Sequence, residues 1–486
     1  MAKRLYRLRS MDAVLHKHRE LELQEIHLSS PGELNDPMEG YRDFFWRGDK
    51  ILWRNFLKHY FLCLVRGVEE CYWMAESEFR EPTIHGSLTE DDLPTEAYRS
   101  MFREALATFL ADERVIGVLE LLCLSPPPIR RDQLCFFLCG IHPIAVQVVL
   151  SAFDRLQGTN EEVPKLQLQG RPVPYLLLEQ FRKGNANIPD RLWEGIAGLS
   201  YERRLAFIYN QRGDSSVPRS RKRDWVVLDF PDRYVDALVE SLIHPPWHTA
   251  CFSGTCDNAS MWSAYGDDHR GIALVFEPLE DGSGNLTLPV DGLVGSSCVE
   301  GKESQPIIRR YQERLYEVQY RTGAPAVDFF KYIGRLPHQK IRSHWHCDEG
   351  GCVSPLVEDI AQDLDAWRSR VWSSLYESAV TKLPDWQHEQ EYRMVVADML
   401  GLRTKLPSVR FDFASLAGIV FGLRTSESDK LSIMEIVERK CRENRRTDFQ
   451  FFQARYSAAA GKLIVAPMSL LRVAQDSKPE PPVAGA

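Results

Sequence analysis

The 486-residue sequence lacks the segments that would direct it to a membrane or out of the cell. No apolar run of signal-peptide length follows the basic opening Met1–Arg4. The most apolar stretch, Leu134–Leu150, is shorter than the roughly 20 residues of a spanning helix. We interpret it as a core helix that breaks near Pro143. These absences predict a soluble, cytoplasmic protein with no membrane partner.

The cysteines also show no spacing that is typical of a zinc site. None of the 11 cysteines has the two-residue spacing of a zinc knuckle, and their number is odd. Free thiols favour a reducing compartment, which again predicts the cytoplasm. One segment, Ser343–Cys352, holds four possible metal ligands at a spacing that matches no standard zinc pattern: His344, His346, Cys347 and Cys352. We assign no metal, and a structural metal at this segment stays open.

The common nucleotide and hydrolase signatures are absent: there is no Walker loop, no GxGxxG after a strand and no GxSxG elbow. The net charge of -8 gives no overall attraction to nucleic acid or anionic membrane. We interpret the basic run Arg219–Arg223 as a solvated loop. Motif searching alone therefore leaves the activity undetermined.

Hydrophobic periodicity predicts an α+β fold: a small mixed or antiparallel sheet with flanking helices and a large helical insertion. Residues 1–45 and 225–475 would form the core, 46–224 the insertion, and 476–486 a disordered tail. A Gly- and Ser-rich loop is predicted over Asp281–Ser304. Helices are predicted over Met11–Glu20, Val357–Leu383 and Lys430–Arg442. The predicted strands are Leu5–Leu8, Glu25–Leu28, Val226–Phe230, His248–Ser253, Gly271–Phe276, Leu315–Tyr320, Tyr392–Val396 and Leu416–Gly422.

The insertion is predicted to be helical because its apolar residues recur at helical spacing, as in Trp53, Phe56, Leu57 and Tyr60. Proline clusters at 126–128 and 172–174 would divide it into hairpins. We expect it to pack as a subdomain that offers a surface to a protein partner or a substrate.

Three separated segments carry clustered polar residues. The first, Asn35–Glu39, places an amide and two carboxylates on one turn that a proline fixes. These polar groups would either only stabilise the turn of the backbone or face a ligand. The second, Cys251–Gly271, joins a strand ending at Ser253 to a short helix. Trp262 and Tyr265 would share one face of that helix, as core aromatics or as a pocket wall, and His269 follows.

The third segment is Trp386–Arg393. Alternation along a strand would place Glu389, Glu391 and Arg393 on one face, with Tyr392 and Met394 towards the core. Such a cluster is either a structural Glu–Arg bridge or a carboxylate held for a sugar hydroxyl or a developing cation. We favour Glu391 over Glu389 because it lies deeper in the predicted strand.

Together the segments resemble the bacterial domain-of-unknown-function family DUF2971. The resemblance covers roughly residues 1–45 and 245–425, with mild departures at Leu34 and Met38. The matching stretches are Leu5–Leu8, Leu28–Glu39, Cys251–Gly271 and Trp386–Arg393. The order of these parts is similar to that of the ADP-ribosyltransferase superfamily, which implies NAD as cofactor and a late-strand glutamate at the ribose.

On that resemblance, the residues that would correspond to the site residues of the superfamily are Arg7, Ser253, Tyr265 and Glu391. The catalytic candidates are Glu391, Glu39 and His269. The candidates for NAD binding are Arg7, Asn35, Asp36, Ser253, Trp262, Tyr265 and Arg393. Two other classes stay open. One is a nucleotide or nucleic-acid hydrolase with a divalent cation on Asp36, Glu39 and Glu391, and the other is a ligand-sensing module without catalysis.

Overall fold

The structure, a computed structural model, describes residues 3–124, 128–157, 220–297, 305–399 and 407–470, with isolated positions 195, 202, 205 and 209. The predicted tail and the proline cluster at 172–174 lie outside these ranges. The chain divides into two compact units. The first comprises Met1–Tyr41, Pro246–Ala324 and Tyr376–Ala486, and the second comprises Arg42–Pro245 and Pro325–Leu375. Relative to the predicted division, residues 225–245 and 325–375 therefore belong with the helical unit.

The elements are numbered in chain order. The described strands are β1 (Leu5–Arg9), β2 (Glu25–His27), β3 (Asp43–Trp46), β4 (Ile129–Arg130), β5 (Trp247–Ser253), β6 (Ile272–Phe276), β7 (Leu279–Glu280), β8 (Leu286–Ser297), β9 (Gln305–Glu317), β10 (Gln319–Tyr320), β11 (Ala326–Asp328), β12 (Thr381–Lys382), β13 (Glu391–Ala397), β14 (Ser408–Phe411), β15 (Leu416–Phe421), β16 (Gln450–Ser457) and β17 (Lys462–Pro467). The described α-helices are α1 (Glu20–Leu23), α2 (Lys50–Trp73), α3 (Glu96–Ala111), α4 (Glu113–Leu124), α5 (Arg131–Gln157), α6 (Arg221–Asp224), α7 (Phe230–Leu238), α8 (Ala259–Tyr265), α9 (His338–Ile341), α10 (Leu356–Ala361), α11 (Leu364–Ala379) and α12 (Glu427–Asn444).

The first unit is built on a twelve-stranded sheet in the order β17-β16-β15-β6-β1-β5-β13-β9-β8-β14-β2, with β7 paired to β8. Its neighbours are antiparallel except for the parallel pair β15 and β16. Side chains of β6 alternate between two apolar clusters, with Leu274 in one and Ala273 and Val275 in the other. Both faces are thus covered. The predicted α+β fold is confirmed, with a larger sheet than expected.

This sheet is split between β1 and β5. In the described residues these strands pair at one position, Tyr6 with Ser253, whereas Thr249 pairs instead with Ser29, which follows β2. The next hydrogen-bonding pair in this register would be Leu8 with Cys251, but these residues do not pair, and the Cys251 carbonyl accepts from the Arg7 guanidinium at 3.3 Å instead. Because backbone groups alternate in direction along an antiparallel strand, the backbone groups of Leu8 and the N–H of Cys251 face the gap. The split is where the cleft described below lies.

The second unit is mainly helical. The α2 helix begins at Asp49, whose carboxylate accepts hydrogen bonds from the N–H groups of Ile51 and Leu52 at 2.8 and 3.1 Å. Trp53, Phe56 and Tyr60 are fully buried at the spacing that the sequence predicted, whereas Tyr72 and Trp73 at the end of the helix are exposed. A small sheet of β11, β3 and β4 accompanies the helices. The insertion is therefore helical over the described residues from α2 to α5.

Two predictions for this unit are wrong. The helix α5 continues through Pro143 instead of breaking there. The His142 ring holds it in place, lying 2.7 Å from the Tyr60 hydroxyl and 2.6 Å from the Val226 carbonyl oxygen. The stretch Val226–Phe230 is helical and not a strand, because its apolar side chains bury one face of a continuous turn against α2 and α5. Tertiary contacts override local preference in both cases.

Two predictions for the first unit also need correction. The predicted loop Asp281–Ser304 contains the long strand β8, which pairs with β9 from Thr287 to Ser297. Its Gly and Ser content obscured the buried pair Leu288 and Val290. The helix predicted over Met11–Glu20 ends near Lys17, because Arg19 adopts a left-handed conformation at φ 51°.

One described helix, Arg131–Leu156, is long and apolar enough to cross a membrane by length and composition alone. Core helices of soluble proteins meet the same criterion, and 56% of its apolar window is buried.

Candidate functional site

A cleft of about 210 Å³ opens in the first unit at the split between β1 and β5. Three of the sequence segments supply its walls: the turn after β2, the end of β5 with α8, and the start of β13. The lining residues with polar or reactive side chains are Tyr6, Arg7, Arg9, His27, Ser29, Glu33, Asn35, Glu39, Thr249, Cys251, Ser253, Tyr265, Lys382, Glu389 and Glu391. The cleft is therefore polar and brings together residues nearly 390 positions apart.

Three buried glutamates and two buried cations form the densest part of this wall. The Lys382 ammonium lies 3.0, 2.6 and 3.1 Å from carboxylate oxygens of Glu39, Glu389 and Glu391. Behind them the Arg393 guanidinium binds both oxygens of Glu391 at 2.7 and 3.0 Å. Its Nη2 is also 2.7 Å from Glu39 Oε2, an ion pair by distance without hydrogen-bond alignment. This glutamate cluster carries a net charge of about -1 when all five groups are ionised.

Glu389 belongs to this cluster because of local backbone geometry that alternation does not capture. It ends the 3₁₀ turn Pro384–Glu389, and Gln390 follows in a left-handed conformation at φ 45°. The Ser253 hydroxyl donates to the Glu389 carbonyl at 2.7 Å, and the Asn258 amide donates to the His388 carbonyl at 3.2 Å. Ser253 therefore positions the turn, and its proton is already committed to a backbone oxygen.

Tyr265 joins the helix α8 to the glutamate cluster. Its hydroxyl donates to Glu389 Oε1 at 2.7 Å, and the Asn35 side chain also interacts with that hydroxyl. Burial and the neighbouring Glu389 raise the pKa of Tyr265, so it stays a neutral donor. Asn35 and Tyr265 thus meet in the cleft as the sequence predicted. Asp36 instead turns back to accept from the Met38 N–H at 2.9 Å and does not line the cleft.

The two inner glutamates are held in different electrostatic states. Burial alone would raise the pKa of Glu391, but Arg393 and Lys382 outweigh it and hold that pKa at about 2. For Glu39 burial prevails over the two cations, and Glu391 adds repulsion, so its pKa is raised. Glu391 is therefore a carboxylate at neutral pH, and Glu39 is the easier of the two to protonate.

A second charged group borders the cleft on the β1 side. Arg9 forms a paired bond with the buried Glu20 at 2.8 and 2.7 Å, and Arg7 lies 3.5 Å from the same carboxylate. Arg7 also donates to the carbonyls of His27 and Cys251, while its buried Nε has no partner among the described residues. Two guanidiniums against one carboxylate leave this arginine group near +1.

The rings of His18 and His27 stack at 4.1 Å beside the arginine group. Burial, the neighbouring His18 and the arginines lower the pKa of His27 to about 4, so its imidazole is neutral at pH 7. It offers a hydrogen-bonding ring to the cleft without adding charge.

Cys251 lines the cleft but is unsuited to act as a nucleophile. Burial and the nearby Glu391 raise the pKa of its thiol far above the usual range. Because the thiolate is the reactive form, we expect Cys251 to be alkylated by iodoacetamide about 100-fold or more slowly than the exposed Cys352 at pH 8. Peptide mass spectrometry over a labelling time course measures both rates, and equal rates would contradict the charge assignment.

Two site residues predicted from the second segment lie elsewhere. Trp262 is fully buried in the core with its Nε1 donating to the Cys256 carbonyl at 2.9 Å, and His269 stacks on it at 6.4 Å. The His269 carbonyl accepts from the Arg424 N–H at 2.9 Å. A side chain at Gly271 would lie 2.1 Å from the Arg9 carbonyl oxygen. This segment therefore builds the connection between α8 and β6. Arg393 is likewise buried behind Glu391 and does not line the cleft.

Among the described residues, no group of three or more His, Cys, Asp and Glu side chains is arranged to hold a metal ion. This includes the segment with His344, His346, Cys347 and Cys352. The divalent-cation set predicted from Asp36, Glu39 and Glu391 also does not assemble, because Asp36 binds its own turn and the two glutamates face cations.

Several cleft residues were not predicted as site residues. Lys382 precedes the third segment and lacks a distinguishing pattern, and Glu389 was set aside in favour of Glu391. Arg9 ends the first strand, and its partner Glu20, which does not line the cleft, follows the basic run His16–Arg19, so neither position stands out in the sequence. Their contact depends on Arg19 reversing the chain, which no sequence pattern indicated.

No protein-family model, no curated protein and no solved structure matches this chain.

Proposed function

We propose that the cleft binds NAD⁺ and that the protein cleaves its nicotinamide–ribose bond and transfers ADP-ribose to an acceptor. In this proposal the chain belongs with the DUF2971 family that its sequence resembles. The observation that carries the proposal is the placement of two oppositely charged groups on the two sides of one split in the sheet.

The charge pattern of the cleft suits NAD⁺. The glutamate cluster, near -1, approaches the cleft from the β13 side, and the arginine group, near +1, approaches from the β1 side. Those strands are separated by β5, so the groups lie roughly two strand spacings apart, about 10 Å. NAD⁺ carries a pyridinium cation and a pyrophosphate anion joined through a ribose. The cation would face the glutamates, and the pyrophosphate would face Arg7 and Arg9.

The open sheet edges suit the nicotinamide carboxamide. In the split, Leu8 and Cys251 do not pair, and the Cys251 carbonyl accepts from the Arg7 guanidinium, so the Leu8 backbone groups and the Cys251 N–H are the ones that face the gap. A primary carboxamide has two donors and one acceptor, so it can bond to one such edge as a neighbouring strand would. Desolvating these groups without a partner is costly, which favours a ligand that satisfies them.

The reaction follows from the ionised Glu391. The glycosidic electron pair leaves with nicotinamide, which becomes neutral, and positive charge develops at the ribose carbon. A fixed carboxylate within a desolvated cleft stabilises that charge and can accept a hydrogen bond from a ribose hydroxyl. The acceptor then adds to the carbon and releases a proton. Tyr265 and Asn35 are placed to orient the sugar beside Glu389.

Calorimetry with NAD⁺ and NADH tests the binding step. NADH has a neutral dihydronicotinamide ring, so we expect NAD⁺ to bind about 10-fold tighter or more, because only NAD⁺ places a cation near the glutamate cluster. Release of nicotinamide is followed by chromatography in the same samples. Equal affinity for the two ligands would contradict the charge argument, and absence of both heat and nicotinamide release would overturn the proposed function.

A further inference from the structure

We propose that Lys382 is the positioning residue of the cleft, whose ammonium group holds Glu39, Glu389 and Glu391 around a single point. Its effect on turnover rests on the proposed function, whereas its effect on the glutamate cluster does not.

The contacts of Lys382 match the capacity of an ammonium group. Its three N–H groups can serve three acceptors, and it lies 3.0, 2.6 and 3.1 Å from oxygens of Glu39, Glu389 and Glu391. The side chain is 2% exposed, and the ammonium lies 4.7 Å from the centre of the Trp386 ring. Each N–H group of Lys382 thus has a carboxylate acceptor, and the Trp386 ring covers another side of the ammonium group.

Arg393 cannot replace this function. Its Nε and Nη2 contact Glu39 and Glu391, and its Nη1 donates to the Ala379 carbonyl at 2.7 Å. Among the described residues, Lys382 alone forms ion pairs with all three glutamates. Glu389 and Glu391 come from a turn and a strand, and Glu39 comes from the turn after β2, so the ammonium also connects segments that are distant in sequence.

The backbone around Lys382 is built to hold it. The short strand β12 pairs in parallel with β10, and the Lys382 carbonyl accepts from the Arg321 N–H at 3.0 Å. From β10, the Tyr320 hydroxyl accepts from the Glu391 N–H at 2.8 Å. One small sheet therefore fixes the backbone of Lys382 and contacts the first residue of β13.

Removing the ammonium would change the charge of the cluster from about -1 to about -2, with three carboxylates facing one guanidinium. Like charges in a desolvated site are relieved when one carboxylate takes a proton or turns away. Either change would leave Glu391 incorrectly charged or displaced at neutral pH. Lys382 thus acts through Glu391 and does not need to touch the substrate.

Chemical rescue of Lys382→Ala tests this role. The variant lacks the propylammonium portion of the side chain, which can be added back as propylammonium chloride. Propanol and tetramethylammonium chloride are the controls, since the first lacks charge and the second lacks N–H donors. Lys462→Ala, at an exposed position of the first unit, is the matched control variant.

We expect Lys382→Ala to lose at least 100-fold in turnover and to shift the acid limb of its pH profile upward by at least one pH unit. Propylammonium should restore at least 10-fold and raise the melting temperature of this variant, but not of the wild type or Lys462→Ala. Stabilisation without any turnover in the wild type would support the role of Lys382 and overturn the proposed function. Unchanged turnover and pH profile, or equal stabilisation by propanol, would overturn the role of Lys382.

If Lys382→Ala does not fold, a comparison of two other variants that differ in the charge of the glutamate cluster tests the role of Lys382. Lys382→Met should be less stable than Lys382→Met with Glu389→Gln, because the second change returns the cluster to about -1. A double variant no more stable than Lys382→Met alone would overturn the inference.

Discussion

Replacing Arg393 with methionine is expected to lower the free energy of unfolding by about 3–5 kcal/mol. The guanidinium is fully buried and pairs with Glu391 and Glu39, so its loss leaves two carboxylates in a desolvated site with only Lys382 to compensate. Urea denaturation followed by tryptophan fluorescence measures the change. Arg270→Met is the control, because Arg270 is exposed and its nearest carboxylate is 3.8 Å away, so the expected change is below about 0.5 kcal/mol. A loss under 1 kcal/mol for Arg393→Met would contradict a buried ionised cluster.

The same cluster sets a dependence of stability on pH. The pKa of Glu391 is held at about 2 in the folded protein, below the ordinary value of 4.5. A carboxyl with a depressed folded pKa contributes stability that is fully present above about pH 4.5 and is lost as pH falls towards 2. The raised pKa of Glu39 acts in the opposite direction, since its ionisation is less favourable in the folded state. The protonation of Glu39 at low pH therefore offsets part of the stability that is lost when Glu391 is protonated.

Replacing Glu391 with glutamine is expected to reduce turnover of NAD⁺ by about 10²–10³-fold, the typical effect of removing one group that stabilises charge in the transition state. Glutamine keeps the shape and removes the charge that would face the developing cation at the ribose. Nicotinamide release at saturating NAD⁺ measures the effect. Glu280→Gln, on the exposed strand β7, should retain full turnover.

Because Glu391 also pairs with Arg393, a loss of activity must be separated from a loss of structure. The Glu391→Gln variant is therefore assayed only below its own melting temperature, and its affinity for ADP-ribose is measured in parallel. ADP-ribose lacks the pyridinium, its pyrophosphate would face the arginine group, and the glutamine carbonyl can still accept from the ribose hydroxyl, so its binding should change less than 3-fold if the fold is intact. A folded variant that keeps full turnover would show that Glu391 is not the catalytic carboxylate, and Glu389 would take its place.

Local polar patterns predicted much of this cleft. The turn Asn35–Glu39, the residue Tyr265 and the strand start at Glu391 were identified because each concentrates polar groups beside an apolar strand or helix. The structure brings Asn35, Glu39, Tyr265 and Glu391 to one cleft. The same reasoning could not separate Trp262 and His269 from them, because a buried aromatic pair and a pocket wall share one sequence pattern.

By itself the sequence determined the α+β class, the strands β1, β2, β5, β6, β13 and β15, the helical nature of α2 to α5 and the alternation that sets Glu391 and Arg393 on one face. These depend on periodicity within about ten residues, which local side-chain patterns record. Tertiary structure alone decided that α5 continues through Pro143, that Gln390 redirects Glu389 towards Glu391, and that Lys382 meets three glutamates. It also decided where the sheet opens, because β5 pairs with β1 at Ser253 and with Ser29 at Thr249 but not with β1 at Cys251. The contacts of Lys382 with Glu39 and of Ser29 with Thr249 join residues hundreds of positions apart, and the energy of the charged contacts depends on burial and charge proximity that exist only once the chain has folded.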